Sequence, residues 1–141
     1  MRFWIPCTLF VTVFFNAQAQ ERFTAGELKG FTKLPTEHII ERLKEIPTMR
    51  KVEGFVGSKE LDRPLEGVLI EIRGPGQSER FITTKSDHRG HFRFGRTPNG
   101  VYTVKLTLNG FRSVVGTVSV QRSLKVGKMS EPFRIEMLPG V

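Results

Sequence analysis

Short turns flanked by alternating apolar and polar residues constrain the fold of this chain more than any other feature. In residues 84–94, Thr-Lys-Ser-Asp-His-Arg-Gly-His-Phe-Arg-Phe, Asp87 and Gly90 are spaced as the first and last residues of a type I turn. Beyond the turn, Phe92 and Phe94 alternate with polar residues and fall on one face of an extended strand. A turn between half-buried strands indicates a β-sheet protein.

The same period of two recurs along most of the chain and predicts seven strands. They cover approximately residues 51–57, 66–73, 80–85, 91–95, 100–108, 112–121 and 132–138. Gly, Pro and Asn residues separate these stretches, and no helical pattern lies between them to connect parallel strands. The sequence therefore predicts an all-β fold, a seven-stranded antiparallel β-sandwich. Phe92, Tyr102, Val104 and Ile135 are predicted core residues, with the Tyr102 hydroxyl bonded to the backbone at a strand corner.

A different pattern precedes the strands. Residues 20–35 show no period and predict a loosely ordered lead. In residues 36–46, isoleucine and leucine recur at helical spacing, Thr36 can cap a helix start and Pro47 would end it. We predict a short N-terminal amphipathic helix there. A helix this short is only marginally stable by itself. Its apolar stripe must therefore pack on the sandwich or on a partner.

The first residues have the composition of an export signal. Arg2 precedes an apolar run at residues 5–15, and Ala17-Gln-Ala19 provides a small-x-small cleavage site. We predict a signal peptide over residues 1–19, removed after Ala19, and no stable membrane span afterwards because the run is too short. The predicted location is periplasmic or extracellular.

Charge and cysteine content narrow the class of protein further. The chain has 22 Lys and Arg against 14 Asp and Glu, a formal net charge of +8. Cleavage after Ala19 would remove Arg2 and the single Cys, leaving 122 of the 141 residues with a charge of +7 and no disulfide. That length suits one domain, and the charge favours anionic partners. Export makes nucleic acid an unexpected partner.

Several motifs follow one another in a characteristic order. They are Gly54-Phe-Val56, Leu65-Glu-Gly-Val68, Thr83-Thr84 with Asp87 and Gly90, Gly100-x-Tyr102 and Gly110-Phe111. This order, over about residues 50–139, resembles the carboxypeptidase regulatory-like domain family. The resemblance implies a transthyretin-like sandwich with an Ig-like Greek key and no catalysis of its own. The expected organisation is a signal peptide at 1–19, a lead with the helix at 20–49, and the sandwich at 50–141.

Two histidines suggest the alternative that the protein is an enzyme. His88 and His91 are three residues apart across the turn, so a metal-assisted or transthyretin-like hydrolase would use them. No third strong ligand accompanies them, and the chain contains neither a His-Glu-x-x-His motif nor a Gly-x-Ser-x-Gly motif. We therefore expect a non-catalytic protein with no cofactor and no metal.

A basic set surrounds the same turn and is the candidate binding site. It consists of Lys85, Arg89, Arg93 and Arg96. The forked guanidinium group of arginine can form paired hydrogen bonds with a carboxylate or a phosphate. The expected partner is therefore an anionic glycan, a lipid headgroup or an acidic protein. The alternative is a solvated basic surface with no ligand.

Overall fold

The computed structural model describes residues 23–24, 26–44, 47–74, 81–123 and 133–140. The signal peptide predicted at residues 1–19 lies outside these ranges. The described residues contain ten strands and no helix. The strands are β1 (Ile40–Arg42), β2 (Thr48–Met49), β3 (Glu53–Ser58), β4 (Arg63–Pro64), β5 (Leu69–Arg73), β6 (Phe81–Lys85), β7 (His91–Arg93), β8 (Gly100–Thr107), β9 (Ser113–Val120) and β10 (Arg134–Glu136).

The strands form two mixed sheets. The first has the order β1-β9-β8-β5-β6, with β2 also on β9, and the second has the order β10-β3-β4, with β7 also on β3. The predicted all-antiparallel arrangement is wrong, because β1 and β2 run parallel to β9 and β10 runs parallel to β3. Alternation identifies the buried face of a strand but not the direction of its neighbour. The all-β sandwich itself is confirmed.

Each of the seven predicted stretches contains a strand, but the predicted count is too low. The additional strands among the described residues are β1, β2 and β4, each of two or three residues. The two-residue strands β2 and β4 are too short to show alternation, and β1 lies within residues 36–46, whose isoleucine and leucine spacing predicted a helix.

The helix predicted for residues 36–46 is replaced, in its described part, by strand β1. Ile40 pairs with Ser113, and the Leu43 amide donates to the Val115 carbonyl at 2.8 Å. The Leu43 side chain packs against Gly116, where a Cβ atom would collide with it. A helix of three turns gains little by itself, whereas the edge of β9 supplies backbone partners and a gap for Leu43.

The core lies between the sheets and contains the four residues predicted for it. Phe92, Tyr102, Val104 and Ile135 are all buried. The predicted hydroxyl contact is also confirmed, because Tyr102 Oη donates to the Pro98 carbonyl at 2.7 Å. Burial raises the pKa of Tyr102.

The N-terminal lead packs on the outer face of the first sheet, so the prediction of loose order is wrong for its described residues. The Thr32 amide donates to the Glu71 carboxylate at 3.0 Å, and Lys105 Nζ donates to the Thr32 carbonyl at 2.7 Å. Lys105 Nζ also lies 2.7 Å from Glu37 Oε1, with side chains only 3% and 2% exposed. Glu71 and Lys105 are cross-strand partners. The lead thus covers charged residues that alternation alone assigns to solvent.

Within the described ranges, the chain forms no apolar helix of membrane-spanning length.

Candidate functional site

The turn between β6 and β7 is held rigidly against β3. The Gly90 amide donates to the Asp87 carbonyl at 2.9 Å, which confirms the predicted turn. Asp87 Oδ1 accepts from the amides of Arg89 and His91, each at 2.9 Å. Gly90 has a φ of 74°, and its carbonyl accepts from the Val56 amide at 2.8 Å. The turn therefore places Arg89 at a fixed position beside β3.

An open groove of about 450 Å³ lies on the outer face of the second sheet, next to this turn. Its floor includes Gly57, which faces outward because its neighbours Val56 and Ser58 are buried. A Cβ atom at Gly57 would approach the Arg63 carbonyl oxygen at 3.1 Å. Glycine inside a strand often marks a place where another group approaches the backbone closely. Here the absence of a side chain keeps the base of the groove at the level of the β3 backbone.

Charged side chains from three separate segments surround the floor. The cations are Lys59, Arg63, Arg89 and Arg134, and the carboxylates are Asp62 and Glu136. All six residues are exposed. Across the described parts of the chain, none of these side chains forms an ion pair with another. Four cations against two carboxylates leave the groove a net charge of +2.

Phe55 forms the aromatic wall of the groove. The parallel pairing of β10 with β3 places Arg134 beside Phe55 and Glu136 beside Gly57. The Arg134 guanidinium lies over the Phe55 ring, 5.5 Å from its centroid. The His91 ring is tilted against Phe55, with 5.1 Å between the ring centroids. Phe55 is half-buried, so part of the ring remains accessible from the groove.

His91 is engaged in a structural contact beside the groove. Its Nε2 atom lies 2.7 Å from Glu53 Oε1, and Lys51 Nζ lies 3.2 Å from Glu53 Oε2. The hydrogen bond with His91 lowers the pKa of Glu53, partial burial opposes this, and Lys51 lowers it further. His88 is exposed in the turn. In the described segments, no three His, Cys, Asp or Glu side chains are grouped to hold a metal ion.

Of the four predicted binding residues, the structure brings Arg89 into the groove and leaves the others outside it. Arg93 is exposed on the same sheet, opposite Glu53. Lys85 ends β6 in the first sheet, and Arg96 lies in the connection after β7. Arg89 is therefore the one member of the predicted set that lines the groove, and a binding role for these four residues stays a prediction.

Arg63 and Arg134 were not predicted as site residues because they are far from the turn in the chain. A partial signal was present, since Arg134 alternates with the predicted core residue Ile135 and had to face outward. Phe55 and Gly57 also alternate with buried residues. Only the parallel pairing of β10 with β3, which the sequence did not predict, places these residues together.

Comparison with known proteins identifies one family. The model described as Carboxypeptidase regulatory-like domain matches residues 51–127, from β3 to beyond β9. Comparison with curated proteins finds no relative. Among solved structures, 3-chlorocatechol 1,2-dioxygenase from Rhodococcus opacus 1CP is similar, with a TM-score of 0.43 and 13% identity over 77% of this chain and 70% of that chain. A similarity this distant supports no conclusion about activity. Arg134 lies beyond the family match.

Proposed function

The chain belongs to the carboxypeptidase regulatory-like domain family, and from that premise we propose that it is a non-catalytic accessory module that binds an anionic partner. The predicted signal peptide supports a place of action outside the cytoplasm, in the periplasm or the extracellular space. The binding surface in this proposal is the groove on the second sheet. The hydrolase alternative is not favoured by any observation, since His91 is occupied by Glu53.

One observation carries the proposal: three arginines line one groove, and none of them is paired with a carboxylate in the described part of the chain. Arg63 comes from β4, Arg89 from the turn and Arg134 from β10. A guanidinium offers five N–H donors in a fork that matches carboxylate or phosphate oxygens. Like charges grouped together repel one another, and an anion in the groove would relieve that repulsion. The groove is thus complementary to negative charge.

The exposed position of these arginines determines the strength and salt dependence of binding. Single exposed ion pairs contribute only about 0.2 to 1 kcal/mol, so useful affinity needs several contacts to one partner. Such contacts weaken as the Debye length falls from about 10 Å at 0.1 M salt to about 3 Å at 1 M. A polyanion that contacts several groove cations together therefore suits the site better than a small monovalent ion.

The test is charge reversal within the groove, compared with charge reversal just outside it. We expect R89E combined with R134E to weaken binding to soluble polyanions about tenfold or more, since two exposed ion pairs of about 0.2 to 1 kcal/mol each are lost and two repulsive charges replace them. The matched control is R93E combined with R96E, which changes the net charge equally at two residues outside the groove lining.

The probes are dextran sulfate, poly-glutamate, polygalacturonate and phosphatidylglycerol vesicles, titrated at low and high salt. The proposal requires at least one probe to bind in a manner that depends on the groove arginines. It is wrong if no probe binds. It is also wrong if the control pair weakens binding as much as the groove pair does.

A further inference from the structure

We propose that the anionic partner is an acidic polysaccharide, one whose sugar rings carry carboxylates. This inference rests on the proposed function and narrows it to one class of ligand. Three features of the groove support it: an aromatic ring next to a guanidinium, a glycine floor, and two free carboxylates among the cations. Each feature is matched by one part of a uronic acid unit.

The first feature is the pairing of Arg134 with Phe55. The guanidinium lies over the aromatic ring, so a carboxylate bound by Arg134 brings the group that carries it close to Phe55. The face of a phenyl ring carries partial negative charge, which favours the weakly positive C–H groups of a sugar ring. In a uronic acid the carboxylate is attached directly to such a ring. Arg134 and Phe55 can then recognise the same unit.

The second feature is the floor at Gly57. No side chain projects from this position, although it faces outward in the middle of the sheet. A pyranose ring can therefore approach the backbone between Phe55 and residues 59–62. The groove is open rather than enclosed, so a polymer chain can pass across it instead of ending in it.

The third feature is the pair of acids, Asp62 and Glu136. Ionised carboxylates only accept hydrogen bonds, so they suit a ligand with donor groups. Sugar hydroxyls are such donors, whereas phosphate, sulfate and carboxylate oxygens are repelled. Neither acid is engaged by a cation in the described part of the chain. The acids therefore favour a ligand that carries hydroxyls as well as carboxylates over anions without hydroxyls, such as acidic peptides.

Titration calorimetry with four probes tests the inference. Polygalacturonate provides carboxylates on sugar rings, its fully methyl-esterified form keeps the rings without the charge, poly-glutamate keeps the charge without the rings, and phosphatidylglycerol vesicles present lipid phosphate. We expect polygalacturonate to bind at least about tenfold more tightly than each of the other three.

Replacement of Glu136 by glutamine distinguishes ligands that donate hydroxyl hydrogen bonds from ligands that present only negative charge. The affinities of these two kinds of ligand should change in opposite directions. Loss of the acceptor charge should weaken polygalacturonate binding, because hydroxyl donors lose a charged partner. The same change should strengthen binding of poly-glutamate, which has no hydroxyl donors, because a repulsive charge is removed. F55L should weaken binding of the two polymers that carry sugar rings and leave binding of poly-glutamate and vesicles unchanged. E60Q, outside the groove, is the control and should leave all four probes unchanged.

The outcomes distinguish this inference from the proposed function. Equal binding of poly-glutamate and polygalacturonate, with E136Q strengthening both, would overturn the polysaccharide inference and leave anion binding in place. Undiminished binding of the methyl-esterified polymer would overturn the role of the carboxylate. Absence of binding by all four probes would overturn both proposals.

Discussion

At the scale of single residues, turn chemistry was predictable because it depends on neighbours in the chain. The spacing of Asp87 and Gly90 identified the turn, and the hydrogen bond between them is present. The spacing did not predict a second reason for glycine at this position. A Cβ atom at Gly90 would collide with the Val56 carbonyl oxygen of β3. Local sequence therefore specifies the turn, and the tertiary contact makes its glycine difficult to replace.

Replacing Gly90 with alanine should lower the free energy of unfolding by at least about 1 to 3 kcal/mol, the usual cost of a residue held in a sparsely populated backbone region. The φ of 74° disfavours a side chain, and the new Cβ would meet the Val56 carbonyl oxygen. Gly95→Ala is the control, because nothing lies within 4 Å of its Cβ position. Urea denaturation measures both. Equal stability of the two variants would contradict the turn description.

The contact between Glu53 and His91 should appear in the pH dependence of stability. The pKa of Glu53 is held below its ordinary value of 4.5 in the folded protein, first by the His91 hydrogen bond. A lowered carboxyl pKa gives stability that is present above 4.5 and is lost as the pH falls through the folded value. The stability difference between the parent and E53Q should therefore shrink between about pH 5 and about pH 3 in urea denaturation. A constant difference over that range would contradict this assignment.

At the scale of elements, alternation identified seven of the ten described strands and the buried faces of those seven, but not what covers their other faces. Glu71 and Lys105 occupy polar positions in their strands, so the sequence suggested exposure. Both are buried because the lead crosses the first sheet above them. The helix prediction failed for a related reason, since pairing along the edge of β9 is invisible in residues 36–46. The packing of the N-terminal lead depends on the outer face of the first sheet, which is formed by residues far from the lead in the chain.

The pair Glu37 and Lys105 should be the ionic contact that secures the lead. Because both side chains are almost fully buried, E37Q alone should cost about 3 to 5 kcal/mol by leaving a buried charge unpaired. Adding K105M should recover part of that loss, because no uncompensated ammonium remains. The more exposed pair of Arg112 and Glu41 provides the control, and E41Q should cost less than about 1 kcal/mol. Thermal or urea unfolding measures the stability of each variant. If the stability losses of E37Q and K105M simply add in the double variant, the two residues are not coupled and the prediction is wrong.

At the scale of the whole molecule, the proposed binding surface depends on contacts between distant segments. Arg89 was predictable because it lies in a recognisable turn, whereas Arg63 and Arg134 join it only through pairing with β3. The sequence indicated a basic protein with an outward-facing Arg134, yet the parallel register that brings β10 to the groove has no local signature. The fold class and part of the site could therefore be predicted, and the assembled groove could not.

The most direct test of the central claim, that this groove is the binding surface, is a map of the amides perturbed when polygalacturonate is titrated into isotopically labelled protein. We predict that the nuclear magnetic resonance shifts will concentrate at Phe55, Gly57, Arg63, Arg89 and Arg134, and will disappear in the R89E, R134E double variant. Shifts that lie instead on the outer face of the first sheet, or spread evenly over all exposed lysines and arginines, would contradict the account.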